Sequence, residues 1–489
     1  MTDNQKSPMP SWKGTTRRQA LTGAAALGAT SLAAPQAQAA SDFHPDRPLL
    51  IRRATVVTMD RGTLPDTDVL VEGNRIAAIG KHLPTPATVI EANGGLLIPG
   101  FVDTHRHMWQ TTLRGVGADW TLGNYREWMI TKWGALFRPE DIYAANHLGM
   151  VEAVNDGVTT VTDWSHNSRT PEHAEAAVDA LLSVPGRARY AYGNSFAPDL
   201  GWVTDGRVDR LIRDRFTGRP DQLVTLQLAL DVSDTEEARR ALRFARDRDL
   251  QVTTHAGVFG FSGDEQIRFL DEFGALSPSY TLVHGGSLGD DAYRRIAASG
   301  AYLSVASESE SSAGQGYPPT GKAREFGIPV SLSMDTVVWW SGDMFSAMRS
   351  TLSADRALAH LRAHEAGETV ADNALRAADV LEYATLGGAR ALGLGSLIGS
   401  VTVGKRADLV LLRTDTVAMT PVHNPAGHLV FQAGRGDVDT VLVDGRVLKH
   451  RGELVGVDLK RARRLAAESF GYLRSRIPDA EWEAAMKVT

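Results

Sequence analysis

Residues 100–110 read GFVDTHRHMWQ. Phe101 and Val102 form a short apolar run that ends at Asp103, and His105 and His107 follow with one arginine between them. Alternate residues of a strand project to the same side, so the two imidazoles aim into one space while Arg106 faces away. A pair at that spacing can clasp one divalent cation. Taken alone, it reads more readily as two ordinary loop histidines.

The surrounding chain changes that reading. Across residues 101–400, short apolar runs (GVTTVTDW, LVTLQLALD, LQVTTHAG, YTLVHGG, AYLSVAS, IPVSLSMD) alternate with stretches of helical character such as TEEARRALRFARDR and GDDAYRRIAASG. Strand then helix, repeated over this length, predicts an α/β fold of parallel βαβ units closing into a (β/α)8 TIM barrel. A doubly wound open sheet ranks second, because no G-x-G-x-x-G follows a strand. His255 in VTTHAG, His284 in TLVHGG and Asp335 in SLSMDT each directly follow an apolar run. Their spacing from the His105/His107 pair fits the ends of the first, fifth, sixth and eighth strands, with one long early insertion. Strand ends on that face are where barrels carry their chemistry.

Outside the barrel, residues 41–100 and 401–455 are β-rich and punctuated by Gly and Asn, predicting a composite β-sandwich built from both ends of the chain. Residues 456–489 predict a C-terminal surface helix. Residues 1–40 read as a secretory signal with a twin-arginine head: Arg17-Arg18, a weakly apolar Ala/Leu/Gly stretch, then Ala37-Gln38-Ala39 as a cleavage pattern. Gln19-Ala20 depart from the usual residues of that head. The expectation is a periplasmic or secreted protein.

Composition narrows the function classes. The chain has 489 residues, 43% of them hydrophobic, a net charge of −6 and no cysteine. Disulfides, Cys-ligated metals and thiol catalysis are excluded, as is the His/Cys/Cys zinc recipe of cytidine-type deaminases. There is no basic surface for nucleic acid and no membrane span in the mature chain. The expected partner is a small molecule, and a homo-oligomer is left open.

The motifs GLLIPGFVDTHRH and ATLGGARALGLGSLIGSVTVGKRADLVLL resemble the metal-dependent amidohydrolase superfamily, in the branch that includes cytosine deaminase, S-adenosylhomocysteine deaminase and triazine hydrolases. The resemblance covers about residues 48–450. It implies one divalent metal, Zn²⁺ ahead of Fe²⁺, held by His105, His107, His255 and Asp335, with His284 beside it. No lysine occurs in LVTLQLALD, so the bridging carbamylated lysine of binuclear relatives is not expected. Such a ligand set leaves the metal a positive charge and an open position for water. Asp335 can take the water's proton and pass it on, and His284 can stabilise the developing anion. The expected reaction is hydrolysis of a C–N bond in an amide, a cyclic amide or a related small aromatic or heterocyclic substrate.

One departure bears on that expectation. Deaminases of this branch carry a proton-shuttling glutamate three residues after the fifth-strand histidine, and here HAGVFG places Val258 there. Glu308 and Glu310, on alternate positions of SVASESESSAGQG, are candidates to replace it or to bind substrate, with solvated loop carboxylates equally well supported. Deamination by that replacement is the alternative reading, and a lyase, a decarboxylase or a catalytically dead binding protein is a further one. Trp109 and Trp339 are expected in the pocket wall, with Trp128 and Trp133 packing a helix on the barrel. His166 is a substrate-binding candidate, and Asp103 is expected to orient a first-strand ligand. Asn194, Gln315 and Tyr317 are weaker candidates, and Gly285-Gly286 suit a close backbone approach beside His284.

Overall fold

The computed structural model describes residue 43 and residues 47–84, 88–216, 218 and 222–487. The signal expected over residues 1–40 lies outside them. Five strands come first: β1 (Leu49–Val57), β2 (Thr63–Glu72), β3 (Arg75–Gly80), β4 (Thr88–Glu91) and β5 (Leu96–Pro99). Eight more follow: β6 (Phe101–Arg106), β7 (Val158–Ser165), β8 (Arg187–Tyr192), β9 (Val224–Ala229), β10 (Val252–Ala256), β11 (Tyr280–His284), β12 (Tyr302–Val305) and β13 (Val330–Leu332). These eight pair in sequence order, and every pair is parallel. All eight residues of β7 are buried, as in strands covered on both faces, even though five of them are polar.

Closure falls beside the histidine pair. Asp335 N–H donates to His105 O at 3.0 Å, and His107 N–H donates to Asp335 O at 2.7 Å. These two bonds join the ends of the first and last strands, giving the (β/α)8 barrel that the repeats predict. Both quoted helical stretches form as helices. Glu236–Asp247 is capped by Thr235, whose side chain accepts from Ala238 N, and it buries Leu242 and Phe244 against the barrel. Asp290–Ser299 stops at Gly300, whose φ of 72° suits only a glycine-like end.

The two chain ends combine in one mixed nine-stranded sheet completed by β14 (Leu409–Leu412), β15 (Val438–Val443), β16 (Arg446–His450) and β17 (Glu453–Leu454). The seam is the antiparallel β5–β14 pair, with Pro99 opposite Leu409. Its own apolar cluster includes Ile51, Val69, Leu97 and Leu409. Arg187, on β8, ties sheet to barrel with bonds of 2.9 and 3.0 Å to Asp408 and 3.3 Å to Asp444.

The C-terminal segment forms two helices rather than one, Leu459–Arg476 and Asp479–Met486. Pro478 ends the first, since proline disfavours helical geometry in the residue before it. Both pack on the insertion after β6. Trp133 stacks on Trp482 with centroids 5.5 Å apart, and Trp120 Nε1–H donates to Ala485 O at 2.8 Å.

Candidate active site

His105, His107, His255, His284 and Asp335 converge at the C-terminal mouth of the barrel. The ligand atoms of His105, His107 and His255 all lie within 4.8 Å of one another. His105 Nε2 and His107 Nε2 are each 3.3 Å from Asp335 Oδ1. His284, the last residue of β11, and Asp335 hold left-handed backbones, with φ of 78° and 56°. Such conformations are uncommon for residues other than glycine and mark places where the surrounding fold imposes a direction. Beside His284, a Cβ on Gly286 would stand 2.6 Å from Tyr317 O, so that position needs the close approach glycine permits.

Hydrogen bonds set the ring orientations. His107 Nδ1–H donates to Trp164 O at 2.9 Å and His255 Nδ1–H to Asp231 Oδ1 at 3.0 Å, which leaves both Nε2 lone pairs toward the common centre. Among the described residues neither buried ring nitrogen of His105 makes a well-aligned hydrogen bond, its Nε2 meeting only the Asp335 carboxylate at 3.3 Å. Burial lowers the His105 pKa well below its ordinary value and brings His107 down to about 4, so both are neutral at physiological pH. Burial alone would raise Asp335, but the close approach of the His105 ring and the other facing imidazoles hold it well below the usual carboxylate range. Neutral imidazoles, an ionised carboxylate and orphaned buried nitrogens fit a divalent metal.

A short helix, Ser307–Ala313, supports two of these groups from behind. Ser309 Oγ–H donates to Asp335 Oδ2. Glu310 Oε1 accepts from His284 Nδ1 at 3.2 Å and from Ala306 N at 2.9 Å. Burial pulls the His284 pKa down, but this hydrogen bond and the charges of Asp335 and Glu310 outweigh it and raise the value.

This arrangement corrects the reading of Glu308 and Glu310 as substrate-binding groups. Neither lines the cavity: Glu310 is shut behind His284, and Glu308 accepts from Ser346. The two-residue alternation of a strand does not apply, because the segment is helical. Trp109 is corrected as well. It is fully buried against Phe137 and donates from Nε1 to His166 Nδ1 at 3.4 Å, positioning that histidine without reaching the cavity. His166 lines the cavity, with its ring centroid 4.2 Å from that of His107, and so do Trp339, Asn194 and Gln315. Tyr317 donates instead to Ala354 O. Asp103 acts on backbone rather than on an imidazole, accepting from His105 N and Met334 N at 3.2 Å each.

The cavity encloses ≈ 420 Å³. Trp164, Trp202, Trp339, Tyr125 and Phe261 supply aromatic wall, and Arg126 sits at its edge with its guanidinium 4.9 Å from the Phe261 ring. Val258 lines it too. Asp231, absent from the sequence reading, faces this space beside His255. Its signal was present, since it directly follows the apolar run of β9, as His284 ends that of β11.

The family model described as "Amidohydrolase family" matches residues 96–448. The 5'-deoxyadenosine deaminase of Methanothermobacter thermautotrophicus is 30% identical over 427 residues, covering 83% of this chain and 95% of the relative. A 5-methylthioadenosine/S-adenosylhomocysteine deaminase of Halobacterium salinarum is 29% identical, covering 85% of this chain and 95% of its own. Among solved structures, an adenosine deaminase from Xanthomonas campestris with bound zinc superposes with a TM-score of 0.76 at 24% identity, over 87% of this chain and 98% of that one. A Glu-to-Gln mutant of atrazine chlorohydrolase from Arthrobacter aurescens, complexed with zinc and atraton, gives a TM-score of 0.76 at 23% identity, over 86% and 100%.

Proposed function

The chain belongs to the amidohydrolase family and is a metal-dependent hydrolase of C–N bonds other than peptide bonds, and from that premise we propose that it is a heterocycle aminohydrolase. Its substrate is an amino-substituted nitrogen heterocycle of nucleobase or nucleoside type. The observation that carries this is an aromatic-walled cavity into which His284 and Asp335 both open. The named activities of the relatives support the same substrate class.

His105, His107, His255 and Asp335 would hold one divalent cation, Zn²⁺ ahead of Fe²⁺. When bound, it supplies the Lewis acidity that makes a water acidic enough to attack at neutral pH. Asp335 accepts the attacking water's proton and returns it to the departing nitrogen. His284, tied at Nδ1 to Glu310, presents Nε2 to the substrate and stabilises charge developing there. The tryptophan faces hold the ring and exclude water.

Val258 favours a second reading, hydrolysis of an amide or cyclic amide, because no fifth-strand carboxylate is available to carry a proton. Incubating zinc-loaded protein with aminopurines, aminopyrimidines, their nucleosides and cyclic amides separates the two. Ammonia from the amino compounds supports the first and a new carboxylate the second; if neither is released, both fail. The Arg17-Arg18 head and the Ala37-Gln38-Ala39 pattern support export through a twin-arginine signal, which mass spectrometry of the mature N-terminus checks.

A further inference from the structure

Four carboxylates face the cavity: Asp199, Asp231, Glu237 and Asp335. Three have other duties. Asp335 belongs to the ligand set, Asp199 caps the turn Leu200–Val203 by accepting from Gly201 N, and Glu237 is paired with Arg240 at 2.8 Å. Asp231 differs. Its Oδ1 accepts twice from one residue, from His255 Nδ1 at 3.0 Å and from His255 N at 3.3 Å. Its Oδ2 has no hydrogen-bond partner among the described residues, and the side chain keeps 27% exposure where it faces the cavity. A carboxylate offers only acceptors, so a ligand lying against it must bring a donor.

Resting on the heterocycle reading above, we propose that Asp231 is a specificity-determining residue: its Oδ2 selects heterocycles that present an N–H donor, and rejects those with a bare ring nitrogen at that place. A bare nitrogen there would set two acceptors against each other, so that neither gains a hydrogen from the other. Val258, which also lines the cavity, offers no polar alternative.

The His255 bond makes the idea unusually testable. With Nε2 turned to the ligand centre, Nδ1 carries the hydrogen and requires an oxygen opposite it. In Asp231→Asn the amide must therefore keep its oxygen on His255, which turns its NH₂ into the cavity. Acceptor becomes donor at one point, with almost no change of shape.

The test is titration calorimetry of zinc-loaded protein with hypoxanthine, which carries a lactam N–H, and purine, which has a bare nitrogen at the same ring position and lacks the lactam carbonyl, the Asp231 variants separating the N–H from that carbonyl. Wild type is expected to bind hypoxanthine about 10²-fold more tightly, the range of one hydrogen bond to a charged group. Asp231→Asn is expected to reverse the order, and Asp231→Ser to erase it, each titrated with zinc saturating and its content measured, because Asp231 also orients His255. A wild type that prefers purine, binds the two equally or binds neither overturns the proposal without any variant. So does an Asn variant that keeps the wild-type order. Ammonia release from the substrate panel with no such preference leaves the aminohydrolase reading standing and removes this one; an Asp231-dependent preference without ammonia release does the opposite.

Discussion

Replacing Glu310 by glutamine removes one charge from behind His284 and little else. Both hydrogen bonds to Glu310 arrive at the same oxygen, from His284 Nδ1 at 3.2 Å and Ala306 N at 2.9 Å, and a glutamine carbonyl can accept them both. The helix Ser307–Ala313 and the Ser309–Asp335 contact should therefore survive, with stability close to wild type. The lost component is the charge that sustains His284 as a donor toward the reacting centre. Deleting one donor aimed at a developing anion costs roughly 2.7–4 kcal/mol. The expected result is a fall in kcat of about 10²–10³-fold. KM should move by less than threefold, because Glu310 does not touch the cavity. Glu310→Ala is the contrasting variant: it strands a buried His284 N–H and is expected to lose about 1–3 kcal/mol of stability as well. Steady-state kinetics, zinc content and a urea melt on the three proteins measure all of this. A glutamine variant with wild-type kcat would refute the role given to the pair, as would one whose loss lies entirely in KM.

Other outcomes follow from the same structure. Chelation should abolish turnover and Zn²⁺ should restore it, while His255→Ala should fail to regain activity at stoichiometric metal; atomic absorption beside the assay checks both. Arg187→Ala strips the buried Asp408 of its cation, while Asp444 keeps Arg406 at 3.3 Å, and should cost about 3–5 kcal/mol in urea unfolding. Asp156 is buried, and desolvation together with the nearby Glu152 charge raises its pKa to about 6. Because the folded value exceeds the unfolded one, its contribution to stability is full below about pH 4 and is lost as pH rises through 6. Asp156→Asn should therefore stabilise the protein at pH 8, by up to roughly 3 kcal/mol, and flatten that part of the pH–stability curve.

Much of the site was legible because its ligands share one sequence signature, a polar residue at the end of an apolar run. His105, His107, His255, His284 and Asp335 all carry it, and in a barrel every strand end opens onto the same face. The barrel itself was legible from the alternation of strand and helix. Asp231 carries the same signature, but nothing along the chain tells a carboxylate that faces His255 from one that ends a strand in solvent. Glu308 and Glu310 were misplaced for a different reason. Their direction depended on whether SVASESESSAGQG was extended or helical, and a run of Ser and Glu has no apolar period to settle that.

By itself, then, the sequence determined the barrel, the joining of its two β-rich chain ends and the identity of the groups at its mouth. These follow from local periodicity and from residue chemistry, which are written along the chain. Tertiary structure alone decided the pairings: Ser309 with Asp335, Glu310 with His284, Asp231 with His255, Trp109 with His166. Each joins segments far apart in sequence, and each depends on a side-chain direction set only once strands and helices have packed. A hydrogen bond is sensitive to tenths of an ångström and to angle, and no pattern of residue types along a chain encodes either.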